Sequence, residues 1–195
     1  MKYIDIEKHL KDRGIDLRKT HLIIDNYNNY AVFLLYNLSG KLIGYQNYNP
    51  NGKKSINYSK SKLKDMSTEE MFSLMKYFTY VSEMDKTHQI AVWGLETLEI
   101  TSKYLFITEG IFDIIKIHNQ GFAGIAVLGN DPIKLKGWLS LLPQKKIVIY
   151  DNDKAGKELR KLGNWSYTVP KPYKDLGEMS DDEVYKFLVK MKIIN

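Results

Sequence analysis

The chain has 195 residues, 44% of them hydrophobic, a formal charge of +6 and no cysteine. That is enough apolar material for a packed core, so intrinsic disorder is excluded, and so are disulfides and thiolate zinc sites. The lack of cysteine suits a cytoplasmic protein; no run nears the roughly 20 apolar residues of a membrane span, and the acid-bearing start "MKYIDIEKHLKDRG" has the pattern of neither a secretory signal nor a transit peptide.

In chain order, "DIEKHLKDRG" predicts a short helix capped by Asp5 and stopped at Gly14. "AVFLLYNLSGKLIGYQNY" predicts two strands joined by an Asn-Leu-Ser-Gly turn, and "NPNG" (49–52) predicts a second turn. From Lys41 to Lys64 there are six Lys and no Asp or Glu, interleaved with Tyr45, Tyr48 and Tyr58. Cations between aromatics can follow a phosphate backbone and stack on bases; they can equally form a solvated hairpin. Ser67 and Glu70 form a capping-box pattern, and Met71, Phe72, Met75 and Phe78 then fit one apolar helix face. "AVWGLETL" follows, with Gly94 as a bend.

The texture changes near Ser102. "YLFIT", "GIAVL" and "KIVIY" are continuous apolar runs, as expected of strands buried on both faces. Helical patterns lie between them: "IFDIIKIHNQG", "DPIKLKGWLSLLP" with Asp131 as cap, and "KAGKELRKLG". A fourth strand is expected near "WSYTVP", and a last helix opens on the capping box Ser180–Glu183. Strands alternating with helices mean βαβ units and a mainly parallel, Rossmann-like α/β sheet. The expected division is a mixed α+β basic lobe over 1–100 and an α/β domain over 101–195.

In such a sheet, functional groups gather beyond the carboxyl ends of the strands. Glu109 follows the first strand, Asp151 and Asp153 follow the third, and Lys174, Asp175 and Glu178 follow the fourth. Two carboxylates about 5 Å apart repel by roughly 3 kcal/mol at an effective dielectric near 20. A hard divalent cation such as Mg²⁺ or Mn²⁺ removes that conflict, because it takes oxygen ligands and keeps sites open for a substrate phosphate. Gly110 and Gly156, which lack a Cβ, would let backbone and a bound phosphate approach closely. Taken one at a time, these residues also fit turns and helix caps.

Glu109-Gly110 after an apolar strand, then Asp151-Asn-Asp153 with Ala155-Gly156, resembles the TOPRIM domain of primases, topoisomerases and certain nucleases. The order "VWGLETL", "YLFITEGIFDIIKIHNQG", "GIAVLGN", "KIVIYDNDKAGKEL", "KDLGEM" is similar to bacterial-type and phage DNA primases, over about residues 35–180. The resemblance implies a catalytic Glu109 in contact with metal or acting as acid or base, a metal-binding pair Asp151 and Asp153, and a later acid at Asp175. Asp113 matches the acid four residues after the family's Glu, with Gly110, Gly156 and Lys174 in support. Lys53, Lys54, Lys86, Tyr45 and Tyr58 are candidates for nucleic-acid or nucleotide contacts. The implied function is metal-dependent synthesis of short primers on single-stranded DNA from nucleoside triphosphates. The family's cysteine-built zinc ribbon cannot form here, so no zinc is expected, and template recognition would fall to a helicase or another separate partner. The Lys-, Ile-, Asn- and Tyr-rich composition fits an AT-rich genome such as a phage's. Two rivals stay open: a TOPRIM nuclease using the same acids, and a non-catalytic nucleic-acid-binding module. A topoisomerase would need a nucleophilic Tyr on a further large domain.

Overall fold

The computed structural model describes residues 4–54, 64–82, 91–99, 101–128, 132–151 and 154–194. They form two compact units: Met1–Leu35 with Leu42–Lys86, and Tyr36–Lys41 with Thr87–Asn195.

The first unit is built on a four-stranded sheet in the order β1 (Leu22–Asp25), β2 (Tyr30–Tyr36), β3 (Leu42–Tyr48), β4 (Tyr77–Val81). β2 alternates strictly, with Ala31, Phe33 and Leu35 fully buried, because successive side chains leave opposite faces of a strand. Helix α1 (Ile6–Asp12) buries Ile6 and Leu10, one turn apart, and Asp5 caps it by accepting from the Lys8 amide. Helix α2 (Thr68–Leu74) opens on the expected capping box. It stops earlier than the apolar spacing implied. After Met75, Lys76 donates to the Lys53 carbonyl and Tyr77–Val81 pair with β3, so Phe78 belongs to a strand. Phe72, Met75 and Phe78 fit the helical period, but the run Tyr-Phe-Thr-Tyr-Val favours a pleated surface, and pairing with β3 prevails.

The second unit is an all-parallel sheet in the order β6 (Gly124–Ala126), β5 (Tyr104–Thr108), β7 (Lys145–Tyr150), β8 (Trp165–Thr168). Its strands carry the three apolar runs, and Leu105, Phe106, Ile107, Ile125, Ile147 and Val148 are fully buried. Helix α3 (Ile111–Asn119) joins β5 to β6. A 3₁₀ turn (Pro132–Leu135) and α4 (Lys136–Leu141) lead to β7, where one longer helix was expected; Asp131 lies outside the described residues. Helix α5 (Lys154–Leu159) joins β7 to β8. Val92 and Trp93 make antiparallel bridges to Tyr36 and Ala126, and the chain then turns at Gly94, whose φ of +99° suits glycine. A Cβ there would also come within 2.5 Å of the Gly124 carbonyl oxygen. Helix α6 (Asp181–Lys190) carries the second capping box and is tied to α3 by the ion pair Lys116–Asp181 at 3.2 Å. Among the described residues no helix is long and apolar enough to cross a membrane.

Candidate active site

The site is built where β5 and β7 stop. Thr108, the last residue of β5, is buried, and its hydroxyl donates to the Gly110 carbonyl at 3.0 Å. This closes the turn that carries half-buried Glu109 from strand to helix. The Glu109 carbonyl accepts from the Leu128 amide at 2.8 Å, so β6 steadies the same turn. Gly110 is the N-cap of α3, and one turn into that helix stands Asp113.

Asp113 is the electrostatic centre of the arrangement. Its Oδ1 accepts from the Gly177 amide at 2.9 Å, which fastens α3 to the 3₁₀ turn Leu176–Glu178 and places Asp175, the residue before that turn, alongside. By surface area Asp113 is half-buried, but protein atoms crowd its carboxyl. The loss of water, then the negative charges of Asp175 and Asp151, push the Asp113 carboxyl up to about 7, against the pull of the Gly177 and Gly110 amides. Acids from the ends of β5, β7 and β8 therefore feel one another, although Asp113 and Asp175 are far apart in the chain. Asp175 Oδ1 is buried with no hydrogen-bond partner. An orphaned carboxylate oxygen beside other acids is costly unless something positive meets it.

That chemistry fits a hard divalent cation: the donors are carboxylate oxygens, and the chain has no thiol to favour a softer metal. Among the described residues no three His, Cys, Asp or Glu side chains already stand in a metal-holding group. Asp153 lies outside the described residues. Lys174 is exposed, and its amide donates to Glu178 Oε2 at 2.9 Å. The two glycines admit protein atoms rather than open space. A Cβ on Gly110 would come within 2.6 Å of Asp113 Oδ2, and one on Gly156 within 2.2 Å of the Asp151 carbonyl oxygen. Gly110 thus leaves the room that Asp113 occupies, and Gly156 lets α5 approach the end of β7.

In the first unit, Lys53 and Lys54 are exposed, and Lys53 is fixed by backbone bonds to Leu74 and Lys76. Tyr58 and Lys86 lie outside the described residues. Tyr45 is half-buried; its ring stacks on Tyr80 with centroids 5.5 Å apart and meets Phe72 edge-on at 5.9 Å. Tyr48 cannot serve as a stacking platform. It is fully buried, and its hydroxyl meets His9 Nε2 at 2.8 Å and accepts from Arg13 at 3.3 Å. The alternation of β3 explains the split, since residues 45 and 48 leave opposite faces. Tyr80, 44% exposed and directly across from Tyr45, is the more accessible ring. It was missed because its segment was read as the end of a helix; reading "KYFTYV" as a strand would have found it.

No family model matches the chain. Its antiparallel sheet and four-stranded parallel sheet flanked by helices are those of primase catalytic cores, and the chain resembles such a core. One curated relative is the DNA primase DnaG of Ignicoccus hospitalis, 26% identical over 148 residues, which is 70% of this chain and 34% of that protein. Among solved structures, the Aquifex aeolicus primase (zinc-binding and RNA polymerase domains) matches 97% of this chain and 56% of its own, at TM-score 0.62 and 18% identity. The primase fragment of the bacteriophage T7 primase-helicase matches 95% of this chain and 72% of its own, at TM-score 0.58 and 16% identity. The chain spans about a third of the length of the curated relative.

Proposed function

We propose that the chain is a primase-type nucleotidyltransferase that makes short primers on single-stranded DNA from nucleoside triphosphates. One observation carries this reading: on a primase-core fold, Asp175 Oδ1 is buried without a hydrogen-bond partner next to Asp113, itself raised to about 7 by burial first and then by Asp175 and Asp151. Carboxylates placed at such cost suit a divalent cation, which would supply positive charge for phosphate chemistry.

Asp151, Asp153, Asp175 and Glu109 would hold Mg²⁺ or Mn²⁺, which when bound offsets the charge of the triphosphate and eases ionisation of the attacking hydroxyl. The residues do the rest. The 3′-hydroxyl oxygen of the growing strand forms a bond to the α-phosphorus of the incoming nucleotide while the bond to pyrophosphate breaks. The hydroxyl proton passes to water, while Glu109, on the steadied β5 turn, would lend its carboxylate to the cation. Lys174, exposed beside Asp175, pairs with a phosphate oxygen of the nucleotide. Asp113 positions the Asp175 turn through Gly177 and does not itself touch substrate. The basic first unit, with Lys53, Lys54, Lys86, Tyr45 and Tyr58, holds the single strand. A helicase or a separate recognition protein is the proposed partner in template selection, and the proposed place of work is the cytoplasm, a phage-infected cell's among the candidates.

The test is to incubate the pure chain with single-stranded DNA, labelled nucleoside triphosphates and Mg²⁺. New short oligonucleotides that vanish on chelation are expected. Shortened template instead would mean that the acids serve a nuclease, and binding without either product would mean a non-catalytic module.

A further inference from the structure

At the amino ends of the same parallel strands, opposite the acids, the surface has another character. Trp165 begins β8, the outer strand of the sheet, and is 40% exposed. Tyr104 begins β5, and the two rings meet edge to face with centroids 6.0 Å apart. Lys145, which begins β7 between them, sets its Nζ 5.0 Å from the Trp165 ring centroid. Lys103 sets its Nζ 5.0 Å from that of Tyr104. The register explains the grouping: Tyr104 pairs with Lys145, and Trp165 pairs with Ile147, two residues on, so these side chains leave one face of the sheet. The segments that build this edge, 101–104, 143–145 and 163–165, contain two Lys and no Asp or Glu.

From this we infer that the patch Lys103, Tyr104, Lys145 and Trp165 is a second contact for single-stranded nucleic acid, at the end of the sheet remote from the acids. Each lysine already lies over a ring by cation–π attraction, which holds the ammonium at the surface rather than in a core. Such a lysine can swing to a phosphate and give its place over the ring to a base. Alternating cations and ring faces match a strand that presents phosphate and base in turn. A duplex, whose bases stay stacked, offers the rings nothing. The site works by holding the strand and takes no part in phosphoryl transfer, so it does not depend on the proposed catalysis.

The test is fluorescence anisotropy of a labelled twenty-nucleotide oligo-dT with the full chain in EDTA, at several salt concentrations. For Lys103→Ala/Lys145→Ala the affinity should fall about tenfold, and the slope of log affinity on log salt should lose about 1.4, the share of two single-strand phosphates at roughly 0.7 each. Trp165→Ala should weaken binding about tenfold, while Trp165→Phe, which keeps a ring, should hold within about threefold of the wild type. Lys186→Ala/Lys190→Ala, exposed on α6 of the second unit, makes the same change in net charge and should leave affinity within about threefold. Melting temperatures of the variants confirm folding. The inference is overturned if the patch variants keep wild-type affinity and slope, if the α6 control falls as far as they do, or if duplex DNA competes as well as the single strand. Retained affinity would point to a protein partner for the patch.

Discussion

The two ends of the parallel sheet are made by the same strands and carry opposite chemistry. β5 enters on Lys103 and Tyr104 and leaves on Glu109; β7 enters on Lys145 and leaves on Asp151. At the entering end each charge has an answer, an aromatic face or water. At the leaving end Asp175 Oδ1 has none, and Asp113 is pushed toward neutrality by burial and then by its acidic neighbours. A fold seeking stability alone would distribute its acids as it does its lysines. The contrast is the one the proposed function expects, with stability given up at the leaving end for chemistry.

The largest effect expected from breaking the contrast is at the acids. Asp151→Asn or Asp175→Asn should lower primer synthesis by about 10²- to 10³-fold, the loss usual when one member of a charge-stabilising set is removed. The melting temperature should stay equal or rise, because repulsion is relieved. Steady-state synthesis and thermal unfolding of both variants check this, and near-normal turnover would remove them from the site.

Next comes the pH dependence of stability. Asp113 titrates near 7 in the folded chain and near its ordinary value when unfolded, so between about pH 4 and pH 7 the native state binds more protons. Stability is therefore expected to fall as pH rises through that window, by roughly 4 kcal/mol over its whole width, and Mg²⁺ should flatten the decline by offsetting Asp175 and Asp151. Asp25 and Glu183, held below the usual carboxylate range by hydrogen bonds, act in the opposite sense but at lower pH. Denaturant unfolding at pH 5 and pH 8, with EDTA and with Mg²⁺, measures the difference. Stability that does not change with pH in EDTA would show that burial and its acidic neighbours do not raise Asp113.

A smaller effect is expected at Gly110→Ala. The new methyl would meet Asp113 Oδ2, the end of a side chain, and displace it from the Gly177 amide. Activity should fall about tenfold through a looser Asp175 turn, with little change in melting temperature. Smallest of all, Lys103→Ala and Lys145→Ala at the entering end should each change stability by less than about 0.5 kcal/mol, as surface substitutions do. A loss well above that would mean that these lysines hold the fold rather than a partner.

Much of the leaving end was legible in the sequence because its signals are local. The apolar runs end at fixed points, and Glu109, Asp113 and Asp151 stand at offsets from those ends that a strand–turn–helix fixes. The bond from Gly177 to Asp113 was not legible, since it joins residues 64 apart and depends on how the last turn docks. The entering end was illegible for the same reason: Tyr104, Lys145 and Trp165 meet only through strand register. In the first unit β1 escaped notice, being four residues with no clean alternation, and β4 was hidden by aromatics whose spacing also fits a helix. Glycines 110 and 156 were legible as close approaches, but only coordinates identify what approaches them.

The most direct test of the central claim, that the gathered acids at the leaving end hold a divalent cation, is Mn²⁺ titration followed by electron paramagnetic resonance at pH 7.5. Saturable binding by the wild-type chain is predicted, weakened at least about tenfold in Asp175→Asn and in Asp151→Asn and unchanged in Lys103→Ala/Lys145→Ala. Equal Mn²⁺ binding by the wild type and both acid variants, or none by any, would contradict it.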